Sequence, residues 1–259
     1  DDEISNAITR MGGIYNGDVG NMLSISMPRW RFDILHPVDI VEEIAIGHGY
    51  DDLEYDVPKA PLTALARPDA NLRRRIRESL QGLGMMQIQS LTLSNDSDQF
   101  EKMRWKPHGE VTRMTNPITI EHTILRQNVL PGLLRLLAEN RHHDLPQSVY
   151  ELGTTVVDHK NKEQIAFLVA EQSGGFASLR GRIQALMRDL GCETWSLEAM
   201  TDGPWLAGRA AKILINGNEV GECGEIDPVI SEIFELKVPM SGAQIDMNLM
   251  RKNIIDPVH

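Results

Sequence analysis

Cysteine is scarce in this sequence, with only Cys192 and Cys223 among 259 residues. Two such cysteines do not provide a disulfide framework or a zinc site, and we interpret both as small buried apolar residues in a reducing compartment. Long apolar runs are also missing, since no stretch approaches the length of a membrane span. The first residues, Asp1-Asp2-Glu3, are acidic where a secretory leader would be basic, so we expect a cytoplasmic protein.

Basic residues are few in the N-terminal part of the chain. The formal net charge is −11, and residues 1–62 hold twelve acidic and four basic residues, a net of −8. The remaining residues are nearly balanced, with twenty-five acidic and twenty-two basic side chains. Nucleic-acid binding draws mainly on Lys and Arg at the phosphates. Residues 1–62 are therefore a poor candidate for holding nucleic acid by themselves.

Residues 1–62 predict a small α+β module. Residues 4–11 have the spacing of a short amphipathic helix, and residues 23–27 alternate apolar residues with two serines, as in a half-buried strand. A second helix is predicted from Asp39 to Gly47. Its inward-facing residues would be Val38, Val41, Ile44 and Ala45. Residues 51–68 contain three prolines and no regular period, which indicates a linker, and we place the domain boundary between residues 62 and 63.

Residues 63–259 predict an antiparallel sheet with helices packed against it, and not a regular βαβ repeat. Asp69 begins a helix with an apolar stripe, and Asn216-Gly217 between two apolar runs is a strong type I′ hairpin signal. Asp227-Pro228 begins a late helix as cap and first residue. The other predicted elements are strands at 86–93, 149–157, 165–170 and 243–247, and helices after Pro131 and at 178–190.

Four carboxylates lie close together between Pro28 and Ile46, namely Asp33, Asp39, Glu42 and Glu43. Positions three or four apart share a helix face, so the last three would cluster, and Asp33 could fold over them. Oxygen ligands of this kind suit Mg²⁺. Two other interpretations stay open on spacing alone. The acids cap the helix and favour its dipole, or they form ion pairs with nearby arginines, Arg29 and Arg31.

The segment from Pro28 to Ile46, continued by Gly47-His48-Gly49-Tyr50-Asp51, resembles a winged-helix-like domain of the phenylalanyl-tRNA synthetase beta chain of the archaeal and eukaryotic type. In that family an aromatic residue is more common where His48 stands. The resemblance implies that Asp33, Asp39, Glu42 and Glu43 are magnesium ligands at the contact with the alpha subunit.

A second set of short motifs is similar, in order and spacing, to the catalytic-like domain of the same family. The set comprises Asn116-Pro117, Leu125-Arg126, Leu130 to Leu134, Asn140 to His143, Tyr150 to Gly153, Gly208 to Ala211, Gly224 to Pro228 and Phe234 to Pro239. The resemblance covers nearly the whole chain and is weakest at 96–115 and 154–205. The usual Pro-Gly-Arg is Ala207-Gly208-Arg209 here.

The fold class implied is therefore α+β, with a winged-helix-like domain at 1–62 and a class II aminoacyl-tRNA synthetase-like antiparallel sheet domain at 63–259. A catalytic class II synthetase needs an arginine in its second motif to hold the ATP α-phosphate, and another in its third. The strand with Glu151 has Val149 two positions earlier, and a Gly-rich strand leading to an arginine is not found. We expect no catalytic or cofactor-binding residues in this domain.

The resemblance implies a noncatalytic part of phenylalanine–tRNA ligase. Its partners would be the alpha subunit, in an (αβ)₂ heterotetramer, and tRNA(Phe), and Mg²⁺ would be shared with the alpha subunit, which would bind the ATP. The apolar stripe of the helix after Asp69 is expected to pack on another subunit. We interpret the arginines at 73–77 as a solvated face, with a contact to tRNA phosphates or to acidic residues of a partner as the alternative, and His142-His143 as helix-end charges. The rival hypotheses are a winged-helix nucleic-acid-binding regulator and a freestanding adenylate-forming ligase.

Overall fold

A computed structural model of the chain describes residues 2–54, 56 and 69–254. The chain divides into two compact units, of which unit 1 holds the described residues up to 56 and unit 2 those from 69 onwards. The expected boundary at 62–63 and most of the expected linker lie outside the described residues. No helix in the described ranges is long and apolar enough to cross a membrane.

Unit 1 is a helix, a hairpin and a second helix. Its elements are α1 (Asp2–Arg10), β1 (Ile14–Val19), β2 (Met22–Ser26), α2 (Pro37–His48) and a 3₁₀ turn (Tyr50–Asp52). The two strands pair antiparallel, with a register irregularity between Tyr15 and Gly17. The sequence predicted only the second strand, because residues 14–19 include a glycine and two polar residues in place of a clear apolar alternation.

The inward face of α2 differs from the one predicted. Val38 and Val41 are exposed, whereas Glu43 and Gly47 are the buried residues of the helix. α1 packs against α2 so closely at Gly47 that a Cβ there would lie 2.2 Å from the Ala7 carbonyl oxygen. Helix propensity and apolar spacing do not reveal such a close backbone approach, and it determines which face turns inward.

Unit 2 is built on a seven-stranded sheet with helices on both faces. Its helices are α3 (Ala70–Gly82), α4 (Leu130–Glu139), α5 (Phe176–Asp189), α6 (Pro228–Ile233), α7 (Met247–Asn253) and a π-helical turn (Ser97–Glu101). Its strands are β3 (Met86–Gln87), β4 (Leu93–Ser94), β5 (Ile124–Leu125), β6 (Gln147–Val157), β7 (Lys160–Ala170), β8 (Trp195–Ala199), β9 (Trp205–Ile215), β10 (Asn218–Ile226) and β11 (Met240–Asp246).

The strand order in the large sheet is β3-β6-β7-β11-β10-β9-β8. All neighbours are antiparallel except β3 and β6, which pair parallel, so the sheet is mixed where a fully antiparallel one was expected. Successive residues point to opposite faces. Tyr150 and Phe167 pack with α3, α5 and α7, whereas Val149 and Leu168 pack with α4 and α6.

Three predicted local features of unit 2 have different outcomes. The hairpin at Asn216-Gly217 is confirmed, since both residues have positive φ (51° and 76°), as a type I′ turn requires. The predicted strand 86–93 is wrong as one element, because the chain leaves the large sheet after Gln87 and β4 pairs with β5 instead. The stripe of α3 is buried in the chain's own core at Ile76 and Leu80, so these side chains are not available to another subunit.

The close contact at Gly47 predicts a large difference between two helical Gly→Ala substitutions. Gly47→Ala forces the α1 and α2 backbones apart and should lower the free energy of unfolding of unit 1 by about 2 kcal/mol. Gly181→Ala in α5 is the matched control, because nothing lies within 4 Å of its added Cβ, and it should be neutral or stabilising by about 0.5 kcal/mol. Calorimetric unfolding of both variants measures the difference, and equal effects would contradict the packing described.

Candidate functional site

Two of the four predicted acids of unit 1 are joined by Arg31. Its Nε and Nη2 donate to the two oxygens of Asp33 at 2.9 and 2.6 Å, and its Nη1 and Nη2 donate to the two oxygens of Glu43 at 3.1 and 2.6 Å. The Arg31 guanidinium holds the pKa of Asp33 below its usual range. One arginine thus serves a loop acid and a helix acid at once.

Asp39 caps α2 from the third helical position. Its Oδ2 accepts hydrogen bonds from the backbone N–H groups of Leu35 and His36 at 2.8 and 2.7 Å, and these bonds lower the pKa of Asp39. The His36 Nδ1 accepts from the Val38 N–H at 3.2 Å, which completes a capping box. Glu42 is exposed on the same helix.

The spacing of these acids left two alternatives to a metal site open, helix capping and ion pairing. The structure contains both of them. Within the described ranges, no group of three or more His, Cys, Asp or Glu side chains is placed to hold a metal ion. The donor atoms are oxygens, as Mg²⁺ prefers. The oxygens of Asp33 and Glu43 already accept from Arg31, however, and Asp39 accepts from the backbone, so the four residues do not form a magnesium site in this conformation.

Large exposed apolar side chains lie among these acids in the sequence. We call the exposed residues Trp30, Phe32, Leu35, Val38 and Val41 the unit 1 apolar patch, in which Phe32 is 84% and Leu35 is 87% exposed. Single exposed apolar residues are ordinary, but a contiguous group commonly marks an interaction site. The spacing in α2 predicted two of these valines as core, so the patch was not recognised from the sequence.

Glu151 is the acid on the strand that would bear the second synthetase motif. Its side chain lies inside unit 2 and forms an ion pair there. Arg126 Nη2 donates to Glu151 Oε1 at 2.6 Å, and the two side chains are only 4% and 1% exposed. Ser90 Oγ donates to Glu151 Oε2 at 2.6 Å, and Arg126 Nη1 donates to Ser90 Oγ at 2.7 Å. The pair is satisfied by the chain's own atoms.

Val149, where the motif would have its arginine, packs in the apolar core under α4. A valine supplies no positive charge for a phosphate. The strands β6 and β7 are joined directly by Asp158 and His159, both at positive φ, so this tight turn does not extend over the sheet.

Glutamine and asparagine side chains fix the segment that carries Arg126. Gln99 Oε1 accepts from the backbone N–H groups of Gln127 and Asn128 at 3.0 and 2.8 Å. Gln244 Nε2, from β11, donates to Asn128 Oδ1 at 2.9 Å, and Gln244 Oε1 accepts from the Leu130 N–H at 3.2 Å. These buried bonds hold the chain across the α4 side of the sheet, and sequence reasoning missed them because no spacing marks them.

Glu222 on β10 is the perturbed acid of this sheet face. It is the register neighbour of Gln244 on one side and of Lys212 on the other. Burial raises the pKa of Glu222 to about 7, and the indole N–H groups of Trp205 and Trp105 offset only part of that shift. The sequence offered no signal for it, because the apolar alternation of β10 predicts only which face Glu222 occupies.

Three of the four arginines at 73–77 contact acceptor groups of the chain itself. Arg73 pairs with Glu163, Arg74 donates to Glu78 at 3.0 Å, and Arg75 donates to the Asp189 carbonyl at 2.8 Å. The rings of His142 and His143 lie against each other with centroids 4.2 Å apart, just beyond the end of α4.

Comparisons with known proteins agree along most of the chain. The family model described as "Phenylalanyl tRNA synthetase beta chain CLM domain" matches residues 53–247, and the "tRNA synthetase B5 domain" matches residues 1–50. The phenylalanine–tRNA ligase beta subunit of Archaeoglobus fulgidus is 37% identical over 88% of this chain and 42% of that protein. The one from Methanococcoides burtonii is 36% identical over 95% of this chain and 46% of that protein. The chain thus spans less than half the length of these relatives.

Among solved structures, a pyrrolysyl-tRNA synthetase from Desulfitobacterium hafniense superposes with a TM-score of 0.59. It is 15% identical, and the match covers 71% of this chain and 69% of that one. This similarity shows that most of the chain shares the fold of that synthetase chain.

The buried Arg126–Glu151 pair predicts a large cost for neutralising one partner. Glu151→Gln leaves Arg126 charged and uncompensated in the interior and should lower the free energy of unfolding of unit 2 by about 3 kcal/mol. Glu78→Gln is the control, because the Arg74–Glu78 pair is exposed and should change it by less than about 0.5 kcal/mol. Denaturant unfolding measures both, and a near-neutral Glu151→Gln would contradict the pairing.

The raised pKa of Glu222 predicts a pH dependence of stability. Between the ordinary value of 4.5 and about 7, the folded state keeps a proton that the unfolded chain has released. The stabilisation that this bound proton gives the folded state is therefore fully present below pH 4.5, and it is lost as the pH rises through 7. Relative to wild type, Glu222→Gln should gain about 3 kcal/mol of unfolding free energy from pH 4.5 to pH 8.

Glu198→Gln provides the control for that measurement. Glu198 is exposed and lies on β8, two strands away from β10, and its variant should follow the wild-type pH dependence. Denaturant titrations across the pH range give the comparison. A wild-type chain and a Glu222→Gln variant with parallel pH profiles would show that the carboxyl of Glu222 titrates normally.

Proposed function

Because this chain belongs to the phenylalanyl-tRNA synthetase beta-chain family, we propose that it holds a catalytic alpha subunit in place and does not itself activate an amino acid. The observation that carries the proposal is the buried motif strand of unit 2. Val149 lies in the core where a phosphate-binding arginine would be needed, and Glu151 is neutralised by Arg126. A site for developing phosphate charge requires fixed cations aimed at a ligand.

The reaction that this part serves is the charging of tRNA(Phe) with phenylalanine, with cleavage of ATP to AMP and pyrophosphate. The assembly is an (αβ)₂ heterotetramer in which the alpha subunit binds ATP, phenylalanine and the reacting end of tRNA(Phe). It works in the cytoplasm. Unit 2 contributes a synthetase fold whose interior is occupied by its own side chains, and unit 1 is its winged-helix-like companion. The proposal rests on the family and on the engaged charges of unit 2.

The unit 1 apolar patch is the surface proposed to meet the alpha subunit. Phe32 and Leu35 are the most exposed members, and burial of large apolar side chains is the main source of association free energy in stable interfaces. The net charge of −8 in residues 1–62 argues against nucleic acid as the occupant. A protein surface with apolar side chains and compensating positive charge fits both properties.

Mg²⁺ is proposed to bind Asp33, Asp39, Glu42 and Glu43 in the assembled protein. Carboxylate oxygens are suitable donors, and Mg²⁺ keeps several waters and uses few carboxylates. The conformation of the chain by itself does not present the four as a set. The magnesium proposal therefore belongs to the complex, and it requires that the contacts of Arg31 and of Asp39 change there.

The patch predicts that association with the alpha subunit can be weakened without unfolding the chain. Phe32→Ala with Leu35→Ala removes two exposed side chains and should weaken co-purification with a co-expressed alpha subunit by at least about tenfold. The matched control is Val229→Ala, which removes an exposed apolar side chain from α6 and should leave association unchanged.

Two outcomes would overturn the proposed function. Wild-type chain that fails to associate with a freshly co-expressed alpha subunit would remove the scaffold role. ATP–pyrophosphate exchange by the purified chain with any amino acid would make it a ligase in its own right. A gel shift with random duplex DNA, undiminished at physiological salt, would instead favour a nucleic-acid-binding regulator.

A further inference from the structure

Arg31 occupies the position in unit 1 where a cation would have to be. Its guanidinium donates to all four carboxylate oxygens of Asp33 and Glu43, two residues that are ten positions apart in the chain. Bidentate Arg–carboxylate pairs are among the stronger hydrogen-bonded contacts in proteins. The geometry is that of a filled acidic site, with a side chain as its cation.

Burial explains why Glu43 needs such a partner. The side chain of Glu43 is 9% exposed and that of Arg31 is 15% exposed, whereas Asp33 is 62% exposed. A carboxylate that is largely removed from water is unfavourable unless a positive charge and hydrogen bonds compensate it. Arg31 supplies both the positive charge and the hydrogen bonds, so the charge of Glu43 is already compensated without a metal ion.

Arg31 and a divalent ion compete for these oxygens. Mg²⁺ binds oxygen ligands at about 2.1 Å, and a carboxylate oxygen that accepts from Arg31 keeps a second lone pair, so hydrogen bonding alone does not block the metal. The guanidinium would, however, lie within a few ångströms of the metal as a like charge. While Arg31 is in place, this repulsion weakens the binding of a divalent ion to Asp33 and Glu43, and the binding strengthens when Arg31 leaves.

We propose that Arg31 is the resident cation of Asp33 and Glu43, and that a divalent cation binds them tightly only when Arg31 swings out. The neighbours of Arg31 in sequence are Trp30 and Phe32, both exposed members of the unit 1 apolar patch, and the Arg31 guanidinium lies 6.0 Å from the centre of the Trp30 ring. A partner that binds these aromatic side chains therefore acts on the segment that carries Arg31.

Metal binding and partner binding are thus coupled through one residue. The partner's share in this coupling rests on the proposed function, whereas the competition between Arg31 and the metal is a property of this chain alone. The isolated chain is accordingly the right material for testing the competition.

The test titrates Mn²⁺, a paramagnetic substitute for Mg²⁺, into the whole purified chain and measures free Mn²⁺ by electron paramagnetic resonance. Wild type should show no binding tighter than about 1 mM. Arg31→Ala should bind at least about tenfold more tightly than wild type, and the triple variant Arg31→Ala, Asp33→Asn, Glu43→Gln should lose that gain. Arg29→Ala is the matched control, since it removes an exposed arginine two positions away and should behave as wild type.

A second measurement on wild type guards against a misfolded variant. Circular dichroism first establishes that Arg31→Ala is folded, and Arg31→Gln replaces it if it is not. In wild-type chain, the Nε–H resonance of Arg31 should keep its position and intensity as Mg²⁺ is added. Tight Mn²⁺ binding by wild type with an unchanged Arg31 resonance would overturn the proposal, as would an Arg31→Ala chain that is folded and binds no better.

The failure of the scaffold role would look different. A chain that does not associate with the alpha subunit but shows the Arg31-dependent gain in Mn²⁺ affinity would sink the scaffold role and keep the competition. A chain that associates normally, while Arg31→Ala gains no Mn²⁺ affinity, would keep the scaffold role and overturn the competition.

Discussion

The buried ion pair between Arg126 and Glu151 governs the α4 side of the unit 2 sheet. Two opposite charges in the interior are stable only when each has the other and when their remaining hydrogen-bonding groups are satisfied. Ser90 and the Thr154 carbonyl complete that requirement for the pair. Because Arg126 must reach Glu151, the segment after it has to cross the sheet, and Gln99 and Gln244 fix its backbone there. Part of that sheet face is thereby covered by the protein's own chain.

The same principle organises the acids of unit 1, where charges are matched internally and apolar groups are left outside. Arg31 donates hydrogen bonds to Asp33 and Glu43, and the backbone N–H groups of Leu35 and His36 donate to Asp39. The surface that remains here for another molecule to bind is the unit 1 apolar patch. In unit 1, then, the binding capacity lies in exposed apolar side chains more than in unsatisfied charges, as the proposed scaffold role requires.

The sequence predicted the elements whose signals are local. Asn216-Gly217 determines a turn by its own φ preferences, and Asp227 caps α6 by accepting from the Val229 N–H, as its position before Pro228 indicated. The motif order also led to the right family. The inward face of α2 could not be predicted, because it depends on how closely α1 approaches Gly47, a property of two helices together.

The acidic site illustrates the same limit. Spacing placed Asp33, Asp39, Glu42 and Glu43 near one another and named Arg31 among their possible partners, but three arrangements were compatible with it. Choosing among them needs the distance between a loop and a helix, which no period encodes. Glu222 is a similar case, since its raised pKa arises from burial beside Trp105 and Trp205, which are distant from each other in sequence.

The buried position of the α3 stripe changes where a partner of unit 2 would gain most from contact. Ile76 and Leu80 are already removed from water, so exposing them to form an interface would cost the chain its own core. The two most exposed large apolar residues among the described residues of unit 2 lie on a loop, Ile118, at 98% exposed, and Ile120. Burial of such side chains requires no rearrangement of the sheet or its helices. A partner can therefore bury Ile118 and Ile120 while Ile76 and Leu80 keep the burial that the fold already gives them.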